Sequence, residues 1–245
     1  GEGPGEFTSM GYIFPLPDGR LLVTDPLARR TSFFSPEGQF LFSFAWKKLF
    51  QRIYLVSDSS CTLEEGVYAE DSRGLWIKMI DFSGEELIAF GKFRLPELKT
   101  FREEGGATLL PIPWSPASVF AGDQTRQWLY HCPSDQYEIE VYDRQGNLIR
   151  KIDRPYEFVP VTSDDIRKFR SRFADKPESP LVRYYQQMEF PKVKSVANRM
   201  IVDGEGNLWL RTNEVKWEGE KEIAAYDIFT PEGFYEARVW LDGIP

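Results

Sequence analysis

One histidine, His131, serves the whole chain. That removes every multi-histidine metal site and most catalytic triads. It stands beside Cys132, a pairing that suggests a thiolate nucleophile and its base. Both fall in the apolar run Trp128–Cys132, which reads as a strand. Neighbours on a strand point to opposite faces, so the two cannot form a dyad with each other. His131 is read as a structural or surface residue. The two cysteines, Cys61 and Cys132, are too few for a disulfide framework and lack zinc-ligand spacing. They are read as buried thiols, with a single bridge as the alternative.

Two further stretches resemble ligand loops. Asp203, Glu205, Asn207 and Glu214 echo a calcium loop, but Leu208 stands where the sixth-position glycine is required. A turn rich in Asp, Gly and Asn explains the same letters. The glycines of 1–6 lack the Lys-Ser/Thr ending of a phosphate loop, and no helix follows them. Among the tryptophans, Trp114, Trp128, Trp209 and Trp217 could line a groove. Trp76 and Trp209 sit inside candidate strands, where packing is the default. Trp114 lies among Pro111, Pro113 and Pro116 and is the better surface candidate, with a proline-rich loop packed by its own tryptophan as an equally good account.

The elements that must carry these residues repeat. Phe33–Phe44, Met79–Phe90, Val141–Ile152 and Ile228–Val239 each read as strand, polar turn, strand, with a glycine at one fixed place: Gly38, Gly84, Gly146 and Gly233. Glycine suits a hairpin position that needs positive φ. Two more candidate strands precede each hairpin: Tyr12–Leu16 and Leu21–Asp25, Ile53–Val56 and Gly66–Glu70, Ala117–Ala121 and Trp128–Cys132, Arg199–Val202 and Leu208–Arg211. Four strands per repeat is the pattern of a propeller blade. The fold class expected is therefore all-β, a β-propeller of four-stranded antiparallel blades.

The turn glycines lie 46, 62 and 87 residues apart, so the last interval holds an insertion, placed at 155–195. Thr162 with Asp165 three residues on forms an approximate capping box. Ile166, Phe169 and Phe173 then share a helical face, and Pro177 ends it. Ser179 and Pro180 open a second helix with Leu181, Tyr184, Tyr185 and Met188 as its apolar stripe. These helices pack on the rim of the propeller or form a lid or partner-binding element. The candidate partner-binding residues are Trp114, Phe169, Phe173, Tyr184 and Tyr185.

Composition narrows the function. A net charge of -8 argues against a nucleic-acid partner, which needs a basic surface. No apolar run approaches the length of a transmembrane helix. The chain opens at Gly1 without Met and shows no signal peptide, so it reads as a mature form or a fragment.

The opening Gly1-Glu2-Gly3-Pro4-Gly5-Glu6-Phe7, the run PDGRLLVTD over 17–25 and MIVDGEGNLWLRT over 200–212 resemble the linker and blade motifs of bacterial six-bladed propellers of the NHL-repeat and TolB-like type. The resemblance spans nearly the whole chain, 1–245, as one domain with the insertion inside it. Four blades are visible where the family has six. Either parts of the first and last blades are lacking, or the circle has four or five blades. Some members of the family are metal-dependent lactonases with Glu, Asn and Asp ligands in a central tunnel. The alternative function is therefore a metal-dependent hydrolase or lactonase with a divalent cation in that tunnel. Asp58, Glu64, Asp123 and Asn198 could approach it, but no spacing rule singles them out and no metal-site residue is assigned. The primary expectation is a non-enzymatic binding or scaffold propeller without cofactors, for a protein partner or a glycan or peptide. The resemblance implies an extracytoplasmic setting, periplasmic or lipid-anchored. A subunit of a larger assembly, contacted through 162–190, is a third reading.

Overall fold

The computed structural model describes residues 3, 5–16, 18–46, 50–67, 73–103, 106–173, 179–219 and 221–243, without the side chains of residues 50 and 51. The described chain divides into two compact units. The first comprises Gly1–Phe93, Phe120–Tyr130 and Glu140–Arg150. The second comprises Arg94–Val119, His131–Ile139 and Lys151–Pro245.

The first unit holds two complete four-stranded sheets. One runs β1 (Ile13–Pro15), β2 (Leu21–Asp25), β3 (Arg30–Phe34), β4 (Phe40–Ala45). The other runs β5 (Phe50–Val56), β6 (Ser60–Val67), β7 (Gly74–Asp81), β8 (Glu86–Phe93). Every neighbour pair in both is antiparallel. Leu22, Phe33, Val56, Cys61, Leu63 and Ile80 form one apolar core, flanked by Phe14, Phe44 and Phe82. Phe33 stacks on Phe42 with ring centres 4.4 Å apart. A third sheet runs β11 (Val119–Asp123), β12 (Trp128–Cys132), β13 (Glu138–Tyr142), β14 (Leu148–Asp153). The second unit holds a two-stranded hairpin, β9 (Leu98–Glu103) and β10 (Gly106–Pro111). It also holds two helices, α1 (Ser163–Ser171) and α2 (Pro180–Gln187), and a fourth sheet. That sheet runs β15 (Ala197–Val202), β16 (Leu208–Glu218), β17 (Lys221–Phe229), β18 (Tyr235–Asp242).

The repeating hairpins share one turn chemistry. Gly38, Gly84, Gly146 and Gly233 have φ of 81°, 87°, 79° and 90°, the region where a Cβ is disfavoured. Each glycine N–H donates to the carbonyl three residues back, at Ser35, Asp81, Asp143 and Thr230. The side chain there then accepts main-chain N–H bonds further along the turn. Asp81 takes those of Ser83 and Glu85, and Asp143 those of Gln145 and Asn147. Ser35 takes Glu37 and Gln39, and Thr230 takes Phe234. This is a turn held by a short polar side chain. The same polar position and glycine recur in all four units, which is why the sequence shows them.

Several boundaries differ from the sequence reading. The first strand is shorter than Tyr12–Leu16. The strand expected at Gly66–Glu70 lies earlier, at β6, and residues 68–70 are outside the described residues. Its burial explains the shift: Ser60 through Glu65 are all buried, and four of these six are polar, so the letters understate the burial. β11 starts two residues later than Ala117, because Ala117 N–H is taken by the Ser134 hydroxyl. The pair β9–β10 was not anticipated: its strands are mostly exposed and lack a buried face to leave a pattern.

Gly122 tests the packing directly. A Cβ there would sit 2.1 Å from the Tyr54 carbonyl oxygen, a main-chain atom that cannot swing aside, whereas a Cβ on Gly38 meets nothing. Gly122→Ala should therefore cost ~3 kcal/mol or more in denaturant melts, the upper range for overpacking. Gly38→Ala should cost only the left-handed strain of roughly 1–2 kcal/mol. Equal effects would contradict this packing.

Candidate functional site

The insertion begins and ends on one main-chain clasp. Pro160 and Val193 form an isolated antiparallel bridge, Val161 N–H donates to the Lys192 carbonyl and Lys194 N–H to the Val159 carbonyl. Between these points α1 starts as its sequence requires. The Thr162 hydroxyl accepts the Asp165 N–H, and the Asp165 carboxylate accepts the Thr162 N–H, a complete capping box. Ser179 sits at the N-cap of α2 with Pro180 in the first turn, but its hydroxyl makes no capping bond. Phe173 lies beyond the end of α1, and Pro177 is outside the described residues.

The helices are joined by Arg170, whose guanidinium donates to the carbonyls of Tyr185 and Gln186 at the end of α2. Those carbonyls have no partner within the helix, and a cation there also meets the negative end of its dipole. Around this clamp Phe169 lies 5.0 Å from Tyr185, 5.5 Å from Phe173 and 5.9 Å from Phe190, ring centre to ring centre. Phe173 stacks on Tyr185 at 4.8 Å. Trp114 reaches the same cluster from its loop, 5.7 Å from Phe169 and 5.6 Å from Phe190. Four of the five residues singled out from sequence thus meet in one group. Tyr184, the fifth, turns away. It is buried and stacks on Phe101 of β9 at 4.6 Å, while Arg183 pairs with Glu103 beside it. Phe190 joins the cluster without having been foreseen, because it lies past α2 and outside any helical periodicity.

Trp114 is half-buried in its loop. Its φ is +61°, a left-handed conformation that costs a bulky residue roughly 1–2 kcal/mol. Surrounding contacts must hold it there. The Ser195 N–H donates to its carbonyl. The Lys194 ammonium lies 5.7 Å from its ring centre. Lys194 is itself only 4% exposed and makes a 2.8 Å ion pair with Asp165. Burial acts to raise the Asp165 carboxyl, but the bonds from Lys194 and Thr162 outweigh it and hold it below its usual value. Asp165 therefore serves the helix cap and the lysine under Trp114 at once.

The other chemistry-bearing residues are engaged elsewhere. His131 is buried, with Nε2 3.0 Å from the Ser118 hydroxyl, so it is structural and not on the surface. Cys61 and Cys132 are both buried and form no disulfide. Burial pushes the Cys61 thiol up to about 12, out of nucleophilic range. Asp203 occupies the polar turn position of the four hairpins. It accepts from the N–H groups of Glu205 and Asn207 and from the Trp209 indole. Glu214 is taken by Arg238 through both oxygens at 2.9 Å. The turn explains these letters, and calcium is not needed to.

Asp123 accepts from Thr125, Arg126 and the Arg126 guanidinium. Glu64 accepts from the Tyr54 hydroxyl. Asn198 bridges Arg211 and Asn213, and Asp58 is exposed. Among the described residues no group of three His, Cys, Asp or Glu side chains is placed to hold a metal ion. Trp217 lies under the Lys168 ammonium at 4.2 Å, and Trp128 lies under Arg126 and Arg150.

The most strongly coupled charges are in the fourth sheet. Asp227 is 0% exposed. It receives Arg238 Nε at 2.7 Å and Nη2 at 2.9 Å, and the Tyr137 hydroxyl at 2.6 Å, with Arg154 at 3.1 Å. Burial acts upward on its carboxyl, yet the bonds from Arg238 and Tyr137 and the two positive charges hold it below 3.8. Burial and the neighbouring carboxylates push the hydroxyls of Tyr137 and Tyr156 up. A carboxylate fixed as an anion by two arginines does not exchange protons near neutrality, so this cluster holds structure.

No protein-family profile matches the sequence, and no curated protein matches it. Among solved structures, a DUF4221-family member from Bacteroides vulgatus aligns with a TM-score of 0.53 at 9% identity, over 98% of this chain and 69% of that one. A streptogramin B lyase aligns at 0.36 and 12% identity, over 95% of this chain and 54% of that chain. Kluyveromyces lactis Hsv2 aligns at 0.40 and 11%, over 91% and 62%. The chain spans less than two thirds of the latter two. At such identities the likeness concerns the fold alone, and it agrees with the sheets: the protein is an all-β propeller of four-stranded antiparallel blades with a short helical insertion. No helix among the described residues is long and apolar enough to cross a membrane.

Asp227→Asn should lower stability at neutral pH by about 2–3 kcal/mol, since it removes the buried carboxylate that accepts from Arg238 and Tyr137 and neutralises half-buried Arg154. Because the native carboxyl titrates below 3.8, the wild-type advantage is complete above that value and is lost as pH falls through the native pKa. Urea melts of both proteins from pH 7 to pH 3 should show the gap narrowing at the acid end. A gap independent of pH would refute the assignment.

Proposed function

We propose that this chain is a non-enzymatic binding propeller that recognises a protein partner through its helical insertion. The observation that carries this reading is the half-exposed aromatic group of Trp114, Phe169, Phe173, Tyr185 and Phe190. It is held on a clasped excursion from the repeat and includes a tryptophan kept in a left-handed conformation. Backbone strain that the surroundings maintain is a mark of functional sites. Elements appended to a rigid scaffold are where binding residues concentrate. Rigid aromatic rings give large contact area at small entropic cost, which suits a protein interface. Exposed Leu181 on α2, and Phe158 and Val193 near the clasp, extend the apolar character of this region.

The motifs at 1–7, 17–25 and 200–212 support an NHL-type or TolB-like propeller with an extracytoplasmic setting, and 1–245 as one domain of it. A photo-reactive residue at position 185 should crosslink to a defined protein in an extract of the native cells. The same residue at position 87, exposed on β8, should not. Trp114→Ala and Tyr185→Ala should each weaken capture by about tenfold or more, the scale of a lost aromatic anchor. Equal labelling from both positions, or undiminished capture by either variant with wild-type circular dichroism, would refute the reading.

A further inference from the structure

A cleft of about 410 Å³ opens on one face of the fourth sheet, lined by Arg199, Arg211, Glu222, Ala224, Asp242 and Gly243. That volume is within the range of small-molecule sites. Arg199 and Arg211 are direct cross-strand partners in β15 and β16, so they lie side by side on the same face. Like charges in that relation repel, and the pair needs a compensating anion.

Arg211 has one. It donates to Glu222 at 2.7 Å and to the Asn198 amide oxygen at 2.9 Å. Asn198 is placed for this by an irregularity in the β15–β16 register between Ala197 and Arg199, a device that re-aims a side chain. The second oxygen of Glu222 is taken by Arg172 at 2.5 Å. The other carboxylate on the wall, Asp242, is paired with Lys221. Both acids of the cleft are therefore engaged by other cations. The side chain of half-buried Arg199 makes no hydrogen bond, ion pair or ring contact with any described residue. The floor is fixed where Gly243 accepts the Tyr226 hydroxyl through its carbonyl.

We propose that this cleft binds a ligand bearing an oxyanion, a carboxylate or a phosphate, with Arg199 as its principal contact and Arg211 as the oriented second donor. The planar fork of arginine matches two oxygens of such a group at once. A chain of net charge -8 repels anions at long range, so a built local contact is what such binding would require.

The test is calorimetric titration of the full chain with inorganic phosphate and, separately, with succinate, at constant ionic strength set by chloride. Saturable binding of at least one is expected. Arg199→Gln should weaken it about tenfold or more, and Arg199→Lys, which keeps the charge and loses the fork, should fall between. Arg126→Gln, far along the sequence in another sheet, controls for general charge and should leave it unchanged. Binding of phosphate alone assigns a phosphate-bearing ligand, and of succinate alone a carboxylate. Absence of saturable binding by both, or equal affinity in Arg199→Gln, would overturn the proposal. The crosslinking result at position 185 does not depend on either outcome.

Discussion

A carboxylate removed entirely from water must be neutralised by its neighbours, and in the fourth sheet Asp227 imposes that demand. Arg238, its direct partner on β18, meets it through two parallel bonds and passes its remaining nitrogen to Glu214 on β16. Tyr137, just before β13, and Arg154, just past β14, complete the shell. Arg154 in turn lies flat over Tyr235, 4.0 Å from the ring centre. One buried charge thus sets the positions of five strands or their flanks. Apolar residues of the same volume could give similar stability, but they would accept many arrangements. The ionic cluster accepts one.

The same economy of means appears in the turns. A short polar side chain and a left-handed glycine, three residues apart, build every one of the four repeat hairpins and also the Asp203 turn, where Gly206 has φ of 90°. The bonds are local, so they form without help from distant parts of the chain. Asp81, Asp143 and Asp203 are spent on their own turns, which removes them from catalysis. A carboxylate count read from the sequence overstates the acids available for chemistry.

Other places depart from that regular background. Trp114, like Arg29, Gln127 and Ser134, stands at positive φ but carries the bulkiest side chain of the four, and Arg199 faces Arg211 across a strand pair. Both cost free energy that the repeat alone does not require. The first is offset by Lys194, Asp165 and the aromatic group of the insertion. The second is offset at Arg211 alone, by Glu222 and Asn198. Departures from local consistency that persist in a folded chain are where function is expected.

The repeat, the positions of the turn glycines, the capping box at Thr162 and Asp165 and the turn nature of 203–207 were all legible in the sequence. Each depends on residues within a few positions of one another, where letters and geometry are tightly linked. The strand β6 was misplaced because its buried residues include Ser60, Thr62, Glu64 and Glu65, whose polarity hides their burial. The pairing of Asp227 with Tyr137 joins residues 90 positions apart, and the meeting of Trp114 with Phe190 spans a whole insertion. The register that sets Arg199 against Arg211 depends on an irregularity that no spacing announces. The sequence by itself determined which elements form and how they turn. Only the tertiary structure decided which charges are paired, which aromatic rings share a surface and which arginines face each other across a strand pair, because those outcomes depend on distances between segments that the chain order does not contain.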